Sequence, residues 1–303
     1  MKILMSGGSG LIGGALTQAL RADGHTVAHL VRPGGRAAAG DVRWDPDAAS
    51  ADLPAMAGID AVVHLSGASI AGKRWNEAYK RELRTSRVAT TRVLVDILAH
   101  LPQKPRVFVC ASAVGYYGNR GDEVLTESSS HGMDFLGLLS RDWEAEASRA
   151  AQAGIRTVML RFGVILSGRG GALPKMLTPF KLGVGGRLGD GRQWMPWVSL
   201  GDTLDVTRAV LQDERYSGPV NVVAPNPVRN EEFTRMLSRV LHRPAILPAP
   251  AFALRLALGQ MAEPLLLSSA RVQPARLLQM GYTFRQPDLE PLLREILGDS
   301  RKP

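Results

Sequence analysis

Cysteine is nearly absent: Cys110 is the single one in 303 residues. That excludes an intramolecular disulfide and a metal centre built from cysteines. His25, His64 and His131 show no metal-ligand spacing, and each reads as a satisfied strand or loop histidine. No run of about 18 apolar residues occurs, so no membrane partner is expected. No charged-then-apolar leader with a cleavage site opens the chain, and the expected compartment is cytoplasmic. The formal charge of +9 comes without a basic block interleaved with aromatics and without a nucleic-acid motif. The expectation is therefore arginine-rich solvated faces, no nucleic-acid partner, and a mild attraction for anionic cofactors and substrates.

What is present is organised around the first twenty residues. An apolar run, Met1 to Ser6, leads into Gly7-Gly8-Ser9-Gly10-Leu11-Ile12-Gly13 and then an alanine- and leucine-rich helical pattern. This predicts strand, tight turn and helix, the cradle of a dinucleotide. Gly7 turns the chain, Gly10 lets the backbone approach a pyrophosphate, and Gly13 lets the helix pack on the strand. The amides around Ser9, Leu11 and Ile12 sit where the helix N-terminus offers donors to phosphate. A second strand, Thr26 to Val31, ends at Arg32-Pro33-Gly34-Gly35-Arg36. An acid at this strand end would accept from an adenosine ribose, whereas arginine suits a 2′-phosphate, so Arg32 and Arg36 argue for NADP(H). Asp45 is placed either to touch an adenine edge or to form a turn.

Strand and helix patterns alternate through the first half, which predicts an α/β doubly wound parallel sheet of the Rossmann type. The run Ile59 to Ala68 reads as a buried strand, with Leu65, Ser66 and Gly67 passing close to the cofactor. Residues 73–99 carry helical spacing through Leu83, Arg87, Thr90, Thr91 and Leu94. Arg106 to Ala111 is the next strand, with Cys110 a small buried hydrophobe and Ala111 at the cofactor end. A helix over 134–153 and a strand over 157–162 follow. Residues 1–165, with returning segments from about 190–224, form the NADP-binding domain. Residues 166–303 form a smaller, mainly helical substrate-side lobe, whose 225–303 portion is proline-punctuated. Glu263 to Leu267 begins a helix expected to cover the site. Trp75, Trp194 and Trp197 either wall a ligand pocket or pack between the lobes.

The Gly7-to-Gly13 turn, Arg32, the Asp60-to-Ala68 run and the Ser112-to-Gly118 turn resemble an extended short-chain dehydrogenase/reductase of the nucleotide-sugar epimerase type. Lys73-Arg74-Trp75, Gly191-Arg192-Gln193-Trp194, Asn221 to Pro225 and Gln273 to Leu278 are more closely similar to an atypical epimerase subgroup. That resemblance spans nearly the whole chain. It implies a Rossmann fold, NADPH binding, a small-molecule substrate and a C-terminal domain of unknown function. It also implies pairing into a homodimer through two helices, which the 73–99 and 134–153 segments resemble.

One departure bears on mechanism. Ordinary members use a serine, a tyrosine and a lysine four residues after that tyrosine. Ser112 falls near the serine position, although ungapped alignment of Tyr117-Gly118 puts Ala113 there. The helix that should carry the pair reads Asp134 to Glu144 with neither tyrosine nor lysine, and none of the five tyrosines is followed four residues later by lysine. The candidate proton donors are then Tyr116 and Tyr117 or a bound water, with Ser112 polarising the substrate. Arg161 either meets an anionic substrate or the nicotinamide amide, or pairs with Glu144. Two functions follow: an atypical NADP(H)-dependent oxidoreductase or epimerase-like enzyme, or a catalytically inactive NADPH-binding module acting through a partner.

Overall fold

The computed structural model describes residues 1–298. Eight strands form the main sheet: β1 Lys2–Ser6, β2 Thr26–Val31, β3 Val42–Asp45, β4 Ser50–Ala51, β5 Ala61–His64, β6 Val107–Ala113, β7 Arg156–Phe162 and β8 Gly218–Val222. Their order is β8-β7-β6-β5-β1-β2-β3-β4. Every neighbouring pair is parallel except β3 with β4. The central strands are buried along their length because both faces are covered, which is why they read as unbroken apolar runs.

The connecting helices are α1 Leu11–Ala22, α2 Glu77–Arg84, α3 Thr90–His100, α4 Phe135–Gln152, α5 Ala172–Lys181 and α6 Leu200–Gln212. α1 packs with α6, and α3 with α4; right-handed crossovers put these pairs on opposite faces. The 73–99 helix begins only at Glu77, because the Asn76 side chain caps it by accepting from Tyr79 N–H. It continues through a π-helical turn, Thr85–Ala89, into α3. α4 starts at its own cap, Asp134, which accepts from Gly137 N–H at 2.7 Å. Where α3 meets α4, the outer surface carries Arg92–Glu146 and Arg149–Asp96 ion pairs.

β8 returns late in the chain to the edge of the sheet beside β7. The remaining segments build a second hydrophobic core, in which Leu173, Leu177 and Phe180 of α5 meet Phe233 and Leu237 of the helix Asn230–Leu241 and Leu292 and Leu293 of Leu289–Leu297. α5 lies between glycine-rich stretches that read as loop; its three buried residues share one helical face. Glu263–Leu267 is a single π-helical turn rather than a longer helix. Among the described residues, no helix is long and apolar enough to cross a membrane.

The strand order reverses at β1, between β2 and β5, and this switch point positions the site. The two strand ends there are nearly in contact. A Cβ on Gly7 would lie 2.8 Å from the Leu65 carbonyl carbon, and Gly7 itself has φ +74°.

Candidate active site

The turn after β1 is shaped for close approach. A Cβ on Gly13 would lie 2.3 Å from Gly7 O, so only hydrogen fits where α1 meets the turn. A Cβ on Gly10 would meet only Gly7 O, at 3.4 Å. Gly10 is thus spared for something outside the fold. The first amide of α1 with an intrahelical acceptor is that of Gly14, which donates to Gly10 O at 2.9 Å. The amides of Leu11, Ile12 and Gly13 are left for an anion at the positive end of the helix.

Over this turn lies a cavity of about 560 Å³ lined by Gly7, Ser9, Arg32, Arg36, Asp41 and Ser66, among others. Arg32 and Arg36 are exposed on its wall, and neither forms an ion pair among the described residues. Asp45 takes the turn role, its carboxylate accepting from Asp47 and Ala48 N–H, and Asp41 lines the cavity instead. Burial works against ionisation of Asp41, but N–H donors from Ala38 and His29 prevail and hold its carboxyl below the ordinary range.

Ser66 also lines a second cavity, of about 390 Å³, together with Leu65, Gly67, Ala111 and Ser112. The two spaces therefore run from the β2 end, past the switch point, to the end of β6. α4 supplies Leu136, Leu139, Ser140 and Trp143 to the far wall. Among the described residues, the lining of this second cavity holds no tyrosine, lysine or histidine; its hydroxyls are those of Ser66, Ser112 and Ser140.

Ser112 is brought to the cleft, but its proton is committed. Ser112 Oγ donates to Glu144 Oε1 at 2.6 Å. Arg161, 2% exposed, grips the same carboxylate through Nε at 2.8 Å and Nη2 at 2.7 Å. Its third nitrogen reaches Tyr117 Oη and Glu127 O. Of the two readings of Arg161, the pairing with Glu144 is the one its geometry follows, and it lines neither cavity. Burial disfavours its charge, yet the Glu144 carboxylate outweighs that and lifts the guanidinium above its ordinary value.

Tyr117 is corrected as a proton donor. It is fully buried in a small core with Leu125, Val223 and Val272, and its hydroxyl donates to Asn221 Oδ1 at 2.6 Å. Burial pushes it up to about 12. Tyr116 packs against the Arg161 guanidinium, 3.5 Å from the ring centre, and lines neither cavity. Trp75 and Trp197 are buried packing residues, whereas Trp194 lines a third, smaller space beside the cleft. His64 is enclosed between Ser6 Oγ at 2.6 Å and Thr91 Oγ1 at 3.0 Å; burial, with a lesser push from the Arg32 charge, lowers it to about 3.

Arg87 was hidden in the helical pattern. It sits on the π-helical turn, lines the second cavity, and donates to Ala68 O at 2.9 Å beside Gly67. Its guanidinium lies over Trp143 and has no carboxylate partner among the described residues. Burial lowers it to about 10, so it stays charged at neutral pH. It is the cation of this cavity, and the available signal was a charge on an otherwise apolar face.

Comparison with known proteins places the chain in a family. Residues 3–224 fit the model of the NAD dependent epimerase/dehydratase family, and residues 249–296 fit a domain of unknown function. An epimerase family protein of Mycobacterium bovis is 43% identical over 284 residues, 93% of each chain. The human epimerase family protein SDR39U1 is 38% identical over 301 residues, covering 98% of this chain and 100% of that one. A crystal structure of human SDR39U1 (isoform 2) with NADPH superposes with a TM-score of 0.87 at 34% identity, covering 99% of this chain and 100% of that one. The chain belongs to the NAD dependent epimerase/dehydratase family.

Proposed function

We propose that the chain binds NADPH along the two joined cavities and acts as an oxidoreductase or epimerase-like enzyme of atypical catalytic type on a carbonyl or sugar-like substrate. The observation that carries this reading is the pair Arg32 and Arg36, two guanidiniums without ion-pair partners among the described residues, on the wall above the glycine turn. They suit a 2′-phosphate, and the NADPH in the human relative's crystal supports the same choice. The first-turn amides of α1 would take the pyrophosphate. Arg87 would add charge at the far end, where Leu136, Leu139 and Trp143 keep water out.

When bound, the cofactor would exchange a hydride at nicotinamide C4, NADPH giving it to a carbonyl or NADP taking it from an alcohol. The chain orients and hydrogen-bonds the substrate. Because the Ser112 hydroxyl donates its hydrogen bond to Glu144, it presents lone pairs to the cleft and would accept from a substrate hydroxyl. In that role it positions an alcohol rather than polarising a carbonyl.

A second reading, a catalytically silent NADPH-binding module acting through a partner, is favoured by a lining that, among the described residues, has no tyrosine, lysine or histidine. NADPH or NADP turnover against a panel of carbonyls, alcohols and sugar nucleotides, run beside calorimetric binding, separates the two. Turnover that disappears in Ser112→Ala while nucleotide affinity persists supports the enzyme. Binding without turnover across the panel supports the module, and absence of NADPH binding contradicts both.

A further inference from the structure

Among the described residues that line the Ser112 cavity, one side chain is ionisable, and it is the cation Arg87. The other polar side chains with hydrogen-bonding groups at hand are the three serines, and Ile70, Leu136, Leu139, Phe162 and Leu265 make much of the wall apolar. A charge in such surroundings is costly unless an opposite charge offsets it. Arg87 keeps its charge at neutral pH, so the cavity carries one positive charge that no lining residue balances.

The guanidinium is held in place but not used up. Nη2 donates to Ala68 O at 2.9 Å, Nη1 to Leu83 O at 3.4 Å, and Cζ lies 5.3 Å from the Trp143 ring centre. A Cβ on Gly67 would lie 3.0 Å from that Cζ, so the group rests against the backbone that follows β5. A guanidinium has five N–H donors, and these bonds use two. Nε has no acceptor among the described residues, yet it is not sealed from the surface as the unpartnered Nε of Arg271 is. Donors therefore remain free on a side chain that lines the cavity.

The cofactor's own phosphates have other places. In the reading above, the α1 amides take the pyrophosphate, and Arg32 and Arg36 take the 2′-phosphate on a cavity that Arg87 does not line. Arg87 attracts that polyanion from a distance, and its free donors are left for a second anion. Ser112 Oγ, donating to Glu144, turns lone pairs to the same cavity, which suits a hydroxyl and repels an anion. One positive charge on an apolar wall is matched by one negative charge, whereas a doubly charged phosphate would leave a charge to be desolvated without a partner.

We propose that Arg87 is the substrate-anion site of the cleft, taking the carboxylate of a small hydroxy acid whose apolar body lies on the α4 wall and whose hydroxyl meets Ser112. The proposal rests on the oxidoreductase reading above, because the reacting end of the substrate is placed at Ser112. It narrows that reading from carbonyl or sugar-like compounds in general to ones that bear a carboxylate.

The test uses mandelate, its uncharged counterpart mandelamide, and phenyl phosphate, titrated by ligand-observed NMR into NADPH-saturated protein, so that Arg32 and Arg36 are already occupied. Mandelate should bind about tenfold tighter than mandelamide, and phenyl phosphate more weakly than mandelate. Arg87→Gln should bring mandelate down to the level of mandelamide. Ser140→Asp, which sets a carboxylate on the same lining one turn before Trp143, should erase the preference as well and keeps the test open if Arg87→Gln does not fold. Equal or tighter binding of mandelamide or phenyl phosphate, binding of no probe, or a preference for mandelate that survives in either variant would overturn the proposal. If NADPH itself fails to bind, the cofactor reading falls, while mandelate against mandelamide in nucleotide-free wild type and Arg87→Gln still decides the anion site.

Discussion

Glu144 holds Ser112 from inside the protein: the serine hydroxyl donates to Oε1 at 2.6 Å, and Arg161 locks the carboxylate from the other side. All three groups are buried, so the arrangement is rigid and its parts are interdependent. Removing the carboxylate leaves a buried guanidinium without its partner. Glu144→Ala should destabilise the fold by about 3–5 kcal/mol, read as a lower urea midpoint with an unchanged m-value. Replacing both partners, Glu144→Leu with Arg161→Met, should recover most of that loss, because the cost lies in the orphaned charge.

Tyr117 gives a contrasting expectation. Its hydroxyl bridges Asn221 and Arg161 in a sealed core. Tyr117→Phe should cost about 1–3 kcal/mol of stability through the unpaired Asn221 oxygen, with kcat and KM for any substrate unchanged at a temperature where the variant is folded. A large fall in kcat with KM retained would return Tyr117 to the role of proton donor.

Gly10 and Gly13 separate ligand space from packing space. A Cβ on Gly10 has 3.4 Å to its nearest neighbour, whereas one on Gly13 would lie 2.3 Å from Gly7 O. Gly10→Ala should leave the melting temperature nearly unchanged and weaken NADPH by about tenfold or more, since the added methyl intrudes where the pyrophosphate approaches the backbone. Gly13→Ala should lose both stability and binding.

Much of this architecture was legible in the sequence. β2 falls on Thr26–Val31 as expected, because β-branched residues between turn signals have few alternatives. The α4 boundaries agree within a residue, because Asp134 is a strong cap. Long-range pairing was less accessible. Arg161 could equally have faced the cleft or Glu144, since a strand-end residue's direction depends on the helix laid against it. Arg87 looked like part of a packing stripe, because a π-helical turn rotates its side chain in a way that 3.6-residue spacing does not capture. Asp45 stood between an adenine contact and a turn, which its turn hydrogen bonds decide, whereas Asp41, which lines the cavity, carried no signal in the sequence. Gln193 Nε2 bridges Leu188 O and Leu266 O, the latter 73 residues away in the chain, a pairing that no local pattern announces.

His64 sets an acid limit. Its folded value of about 3 lies below the ordinary 6.5, so the unfolded chain binds the extra proton between those two pH values. Stability is therefore full above about pH 6.5 and falls as pH drops toward 3, with a slope approaching about 1.4 kcal/mol per unit. Urea midpoints measured from pH 7 to pH 4 should show this decline, and His64→Gln should flatten it.

The most direct measurement is a calorimetric titration with NADPH and NADH of the wild type, Arg32→Ala and Arg87→Met. NADPH should bind more tightly than NADH. Arg32→Ala should abolish that preference while leaving NADH affinity unchanged, and Arg87→Met should weaken both nucleotides alike, because its charge lies at the other end of the cleft. Equal binding of the two nucleotides by the wild type, or binding of neither, would contradict the cofactor site proposed for the glycine turn and its arginines.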